Sequence, residues 1–198
     1  DQLPPPGEWS TWLILAGRGW GKTRTGAEWV RHMATTGRAG RIALVARTAS
    51  DVRDVVVEGE SGILRISPAS ERPEWNSSRR RLTWPNGAIA TLFSAEEPER
   101  LRGPQHDTAW CDELGAWKHL RATWDMLAFG FRSGVPQGII TTTPRPSELL
   151  RELLADPEVT VTKGSTYDNA ANLAPSFLAR LKKKYEGTRL GRQELLAQ

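Results

Sequence analysis

Apolar and polar positions follow two patterns along the chain: short unbroken apolar runs, and longer stretches with helical spacing. Residues 12–16 (WLILA), 41–46 (RIALVA), 108–112 (TAWCD) and 138–143 (GIITTT) have strand length and are bounded by Gly, Asp or Pro. Runs of this kind read as strands buried on both faces of a parallel sheet. Residues 22–36 place Ala27, Val30 and Ala34 at helical spacing, and Gly37 and Gly40 end that helix. Residues 49–58, 116–131, 175–185 and 190–198 also read as helices, and Ser147 caps one that runs to residue 155. Asn86-Gly87 lies between the strand-like halves of residues 80–93 and predicts a hairpin, and residues 159–161 form a last short strand. The alternation predicts an α/β fold: a central, mostly parallel sheet flanked by helices, plus a β-hairpin. Three chemically distinctive segments follow strands, at Ala16, Asp112 and Thr143. That is where α/β sheets bind ligands.

Composition narrows the class. The chain has 198 residues, 38% hydrophobic and 25% charged, enough for one domain with a real core. No apolar run approaches the roughly 20 residues that span a bilayer, and the start, DQLPPP, has no signal-peptide character. These features predict a soluble, intracellular protein without membrane contact. A single cysteine excludes an internal disulfide and a multi-cysteine zinc site. The net charge of +4 permits contact with nucleic acid without demanding it. The excess of arginine over lysine fits phosphate recognition or a GC-rich genome. Most of the nine tryptophans are expected in the core. His32, His106 and His119 are too scattered for a metal set.

The segment AGRGWGKT, residues 16–23, matches the phosphate-loop pattern GxxxxGK[ST] except that Ala16 replaces the first glycine. Alanine serves there if its φ is negative. Glycines let the loop turn its N–H groups toward phosphate oxygens, and the helix that follows adds its positive dipole end. Lys22 is expected to reach the β- and γ-phosphates, and Thr23 to ligate Mg²⁺. The bland reading is a glycine-rich turn with a chance GKT. Arg18, inside the loop, either senses the γ-phosphate or pairs with an acidic neighbour. Trp20 is expected to pack against the sheet edge. At the end of residues 108–112, Asp112 suits the Mg²⁺ shell and Glu113 suits the polarisation of an attacking water. Cys111, just before them, is strand filling.

Together, GRGWGKTRTGAEW (17–29), LRGP (101–104), WCDEL (110–114) and IITTTPRP (139–146) resemble the ATPase domain of tailed-phage terminase large subunits, a type also found in prophages and gene transfer agents. The resemblance covers nearly the whole chain. It implies a P-loop NTPase of the ASCE/RecA-like class, a Mg²⁺-dependent ATPase that drives double-stranded DNA into a procapsid. It implies ATP and Mg²⁺ as ligands. Its implied partners are DNA, a terminase small subunit and other copies of the chain in a ring on a portal, and its implied location is the host cytoplasm. Residues 1–186 would be the ATPase domain, and residues 187–198 the start of a linker or lid toward a nuclease domain that this chain lacks; DNA cleavage is not expected. The implied nucleotide contacts are Gly17, Arg18, Gly19, Trp20, Gly21, Lys22, Thr23 and Arg24, with Gln2 as the candidate for adenine. Thr141, Thr142 and Thr143 match the coupling segment; the bland alternative is a β-branched strand end. Arg102 matches the position of an arginine finger given to a neighbouring subunit, with Arg100 or Arg18 as alternatives. Arg145 has no assigned role.

Two basic clusters, Arg79–Arg81 and Lys182–Lys184, are candidate DNA phosphate contacts or solvated surface. Two other functions compete. One is a helicase-like DNA translocase, which needs a second RecA-like domain for which the chain has no room. The other is an assembly module that binds nucleotide without turning it over, against which Glu113 argues.

Overall fold

In a computed structural model, which describes residues 2–197, eight strands form one sheet in the order β3-β4-β5-β2-β6-β7-β1-β8. In chain order the elements are β1 (Thr11–Ala16), α1 (Lys22–Thr35), β2 (Arg41–Ala46), α2 (Ala49–Asp51), α3 (Ile63–Ile66), β3 (Glu74–Asn76), β4 (Arg81–Thr83) and β5 (Ile89–Ser94). There follow β6 (Thr108–Asp112), α4 (Leu120–Gly130), β7 (Gln137–Thr142), α5 (Glu148–Ala155), β8 (Val159–Gly164), α6 (Pro175–Tyr185) and α7 (Arg189–Leu196). From β5 to β8 all neighbours are parallel; β4 runs antiparallel to β5, and β3 to β4. The mostly parallel α/β sheet and its hairpin are therefore present as expected.

Side chains alternate between the two faces, and both are buried. Trp12, Ile14, Ile42, Leu44 and Trp110 point into one core, with α1. Leu13, Leu15, Ala43, Val45 and Cys111 point into the other, with α4 and α5. Burial on both faces is why these strands read as unbroken apolar runs. On α1, Gly26 is a packing device: a Cβ there would overlap the Trp110 indole, so only glycine lets the helix lie this close to β6. The hairpin turns at Asn86-Gly87, where Gly87 has φ +90°. The Asn86 side-chain amide also donates to Ala34 O (2.7 Å), tying the turn to the end of α1.

Four expectations are corrected. The helix at 49–58 is a single α turn that continues as a π-helical stretch, Val52–Val57. The helix at 116–131 begins only at Leu120, after a 3₁₀ turn over Leu114–Ala116. The strand at 159–161 extends to Gly164, as β8. The terminal helix, expected over 190–198, is α7; Gln198 lies outside the described residues. Strand β3, α3 and the 3₁₀ segment Thr166–Asn172 are additions that the sequence pattern did not show. No helix among the described residues is long and apolar enough to cross a membrane.

Two outcomes are expected. Gly26→Ala should destabilise the fold by about 1–3 kcal/mol through overpacking against Trp110, read as a lower urea midpoint. His106 is 3% exposed and edge-on to Phe93, and burial lowers its pKa to about 4 against the assistance of Asp107. The unfolded chain takes this proton near pH 6.5 and the folded chain resists it, so stability is full above 6.5 and falls as the pH drops toward 4. The loss is about 1.4 kcal/mol per pH unit at most. His106→Phe should remove that part of the acid sensitivity in denaturation curves at about pH 7, 5.5 and 4.5.

Candidate active site

The loop between β1 and α1 closes on two glycines with positive φ, Gly19 (+76°) and Gly21 (+107°), a region that strains other residues. Ala16 ends β1 outside the positive-φ set, so the departure from the first glycine costs nothing. Gly21 is the N-cap of α1, and no side chain caps that helix. Its first N–H groups and its dipole are thus offered to an anion.

Lys22 is the first residue of α1 and is 7% exposed. Its ammonium donates to Ala16 O (2.9 Å), Gly17 O (3.3 Å) and Thr143 Oγ1 (3.3 Å). It also lies 3.4 Å from Glu113 Oε1. One cation thus gathers the phosphate loop, the acidic pair and the threonine segment, which are separated by 121 positions between Lys22 and Thr143.

The strand order explains the meeting. Strand β7 stands between β1 and β6, so Thr141 pairs with Asp112 on one side while Thr142 pairs with Leu15 on the other. Each threonine has a separate task. The Trp110 indole donates to Thr141 Oγ1 (2.8 Å), which donates to Asp112 Oδ1 (2.8 Å). Thr142 Oγ1 accepts from Gly115 N (3.0 Å), holding the turn after the acidic pair. Thr143 N and Oγ1 both donate to Glu113 Oε2 (3.3 and 3.4 Å).

Glu113 has left-handed backbone geometry, φ +48°, ψ +45°. For a residue with a Cβ this costs about 1–3 kcal/mol and calls for a compensating purpose. It breaks the line of β6, so the two carboxylates part: Asp112 stays buried while the Glu113 side chain is 41% exposed. Burial, then the adjacent Glu113 charge, push the Asp112 carboxyl up to about 7, against the pull of Thr141 and Lys22. Its Oδ1 is bonded to Thr141, and no hydrogen bond is made by Oδ2 among the described residues. The Asp112 carboxylate and the hydroxyl of Thr23, the second residue of α1, are hard oxygen donors of the kind that could hold Mg²⁺.

The outside of the loop is gripped by the C-terminal part of the chain, which sequence reasoning missed. Arg18 N donates to Glu194 O (2.7 Å), and Arg18 Nε to Glu194 Oε2 (2.8 Å). Thr166 Oγ1 donates to Arg18 O (2.7 Å), and Asn169 Nδ2 to Gly19 O (2.7 Å). A Cβ on Gly17 would run into Leu195 O and Thr166 Oγ1. The Gln2 amide donates to Trp20 O, which places Gln2 beside the loop. The Trp20 ring is buried against Gly164 at the end of the edge strand β8.

Not every expected residue joins. Of the two readings of Arg18, the structure has the acidic pairing, and the Glu194 hydrogen bond raises the guanidinium pKa further. Arg24 points to Glu28 (2.7 Å) on the exposed side of α1. Arg102 is 70% exposed and lies 3.3 Å from Glu99, and Arg100 lies 3.0 Å from Glu97; neither contacts the Lys22 cluster within one chain. Arg80 pairs with Glu97 and Lys182 with Glu186, both at the surface.

The ATPase domain of the large terminase of Thermus phage P74-26 superposes with a TM-score of 0.69 at 15% identity, over 97% of this chain and 89% of that one. The large terminase of a further thermophilic bacteriophage, in complex with ADP, gives 0.79 at 14% identity, over 96% of this chain and 48% of that one. The large terminase of bacteriophage HK97 gives 0.69 at 17% identity, over 96% and 47%. The chain thus covers most of an isolated ATPase domain and about half the length of the longer large terminases it matches. The likeness shows a common P-loop fold. No curated protein sequence matches the chain. The family described as terminase large subunit, T4likevirus-type, N-terminal, matches residues 13–198. Because that match runs from the first strand of the sheet through the last helix, the chain belongs to the terminase large-subunit family, in its N-terminal portion.

Proposed function

We propose that this chain is a Mg²⁺-dependent ATPase and works as the motor domain that moves double-stranded DNA into a procapsid. One observation carries the reading: the Lys22 ammonium lies within 3.4 Å of both Thr143 Oγ1 and Glu113 Oε1. A lysine in that position is ready to exchange protein oxygens for those of a β- or γ-phosphate. The loop from Gly17 to Arg24 would wrap the phosphates with backbone N–H groups, and Gln2 beside Trp20 would meet the base. Thr23 and Asp112 would hold Mg²⁺, which offsets phosphate charge when bound. Glu113, partly exposed and oriented by Thr143, would take the proton of the attacking water. Thr141 and Thr143 touch Asp112 and Glu113 respectively, so strand β7 would feel both the metal and the water and pass on the hydrolysis state. Within one chain Arg102 stays outside the cluster, which supports its use in a neighbouring copy's site.

Glu113→Gln should lower turnover about 10²–10⁴-fold, the range for loss of a general base, while a fluorescent ATP analogue still binds. Lys22→Ala should weaken that binding at least tenfold. Turnover that survives Glu113→Gln refutes the assigned base. Duplex DNA should raise the turnover of the wild-type chain, and an inert response would remove the motor reading while leaving the ATPase.

A further inference from the structure

Trp110 and Asp112 stand two residues apart on β6 and so face the same side of the sheet, the side that α1 covers. Thr141 pairs with Asp112 across the β6–β7 ladder. All three side chains are out of water: Trp110 is 1% exposed, Thr141 0% and Asp112 5%. An indole N–H can only donate, and a hydroxyl has a single proton to give. Thr141 Oγ1 accepts the Trp110 N–H at 2.8 Å, so its own proton goes elsewhere. Asp112 Oδ1 receives it at 2.8 Å, while the other acceptor in reach, Cys111 O, is 3.5 Å away. The indole thus holds the hydroxyl oxygen in place and polarises the bond it makes to Asp112.

The other two threonines are wired in the same way to different donors. Thr142 Oγ1 accepts from Gly115 N and donates to Thr143 O (3.0 Å each). Thr143 Oγ1 accepts from the Lys22 ammonium and donates to Glu113. These donors differ in permanence. The ATPase reading gives Lys22 to phosphate, which would take it from Thr143. Trp110 has no such second task, and its ring is pinned by α1: a Cβ on Gly26 would lie 2.2 Å from the indole Cε2. Gly26 comes three residues after Thr23, on the same face of the helix. One indole therefore touches both the helix that carries Thr23 and the hydroxyl that holds Asp112.

We propose that Trp110 is a positioning residue for metal binding: its N–H fixes the Thr141 hydroxyl as a lasting donor to Asp112 Oδ1 and so keeps Oδ2 turned to the cation. The role toward Mg²⁺ rests on the ATPase reading; the relay from Trp110 through Thr141 to Asp112 does not. Without the indole N–H, the same hydroxyl is free to turn to Cys111 O, and Asp112 loses its fixed partner. Residues that orient a metal ligand without touching the metal carry about 10–100-fold in metal affinity.

Two measurements test this. Without nucleotide, NMR follows the Trp110 indole proton, identified by its loss in Trp110→Phe. Thr141→Val should shift it upfield. Asp112→Asn, at a residue not bonded to the indole, should shift it too, and should add no shift once Thr141→Val is present. An indole proton that ignores Asp112→Asn overturns the relay. With nucleotide, a fluorescent ATP analogue is bound in Mg²⁺ and in EDTA. Trp110→Phe should cut the gain in affinity that Mg²⁺ gives by about tenfold and leave the affinity in EDTA within roughly twofold. Gly26→Ala with Trp110→Phe places a methyl where the indole stood, refilling the space without returning the N–H, and the gain should stay low. This second chain also serves both measurements where Trp110→Phe alone does not fold. A full gain in either chain, or an equal loss in Mg²⁺ and EDTA, overturns the positioning role. If the wild-type chain binds no analogue in either buffer, the ATPase reading fails and the metal role with it, while the indole proton still decides the relay.

Discussion

An ammonium group taken almost wholly out of water has to be compensated, and Lys22 is compensated by oxygens from four residues in three parts of the chain: Ala16, Gly17, Glu113 and Thr143. The rest of the architecture makes this possible. Strand β1 must stop at Ala16 so that the loop can curl back over its own carbonyls. Strand β7 must lie next to β1 so that Thr143 comes within reach, and β6 must lie beyond β7 so that Glu113 approaches from the far side. None of these contacts is strong alone. What they share is that, under the proposed function, oxygens of a bound phosphate chain would take the place of some of them.

How far this was legible in the sequence depended on how local the cause was. Strands β1, β2, β6 and β7 are buried on both faces, so their apolar runs have no other explanation, and the Asn86-Gly87 turn carries its own geometry. The stretch over residues 52–57 was legible only as helix. Val52, Val56 and Val57 are buried while Val55 is 40% exposed, a spacing that fits either an α or a wider π turn. Strand β3 is three residues long and exists because β4 pairs with it. The late start of α4 has a tertiary origin. The left-handed Glu113 redirects the chain, and the Trp117 indole donates to Asp112 O (3.0 Å), holding residues 113–117 out of a regular helix.

The same division runs through the site. Residues that would meet phosphate, metal or water sit in short motifs, because a loop or a strand end can present several groups in a row. The residues that orient them do not. The line from Trp110 to Thr141 to Asp112 joins positions about 30 apart, and no pattern in β6 marks its tryptophan as anything but core. Glu194 is 176 positions from Arg18, on a helix whose sequence shows only an amphipathic pattern. Arg18 could be read two ways for that reason: its partner was not visible.

That distant partner changes what the loop is. Its inner side is held by strand ends, and its outer side by Thr166, Asn169 and Glu194, with Leu195 O packed where Gly17 has no side chain. The Arg18–Glu194 ion pair is largely open to water on the arginine side, 71% against 15%, and is worth little as a charge pair. The accompanying backbone bond from Arg18 N to Glu194 O is short, and it joins the loop to α7 through main chain at the loop end. A loop fastened on both sides cannot re-form around a ligand without loading one of its fastenings. Under the proposed function the inner fastenings are the ones that phosphate oxygens would replace, so the load would fall on the outer ones, and filling the loop and positioning α7 would then be linked.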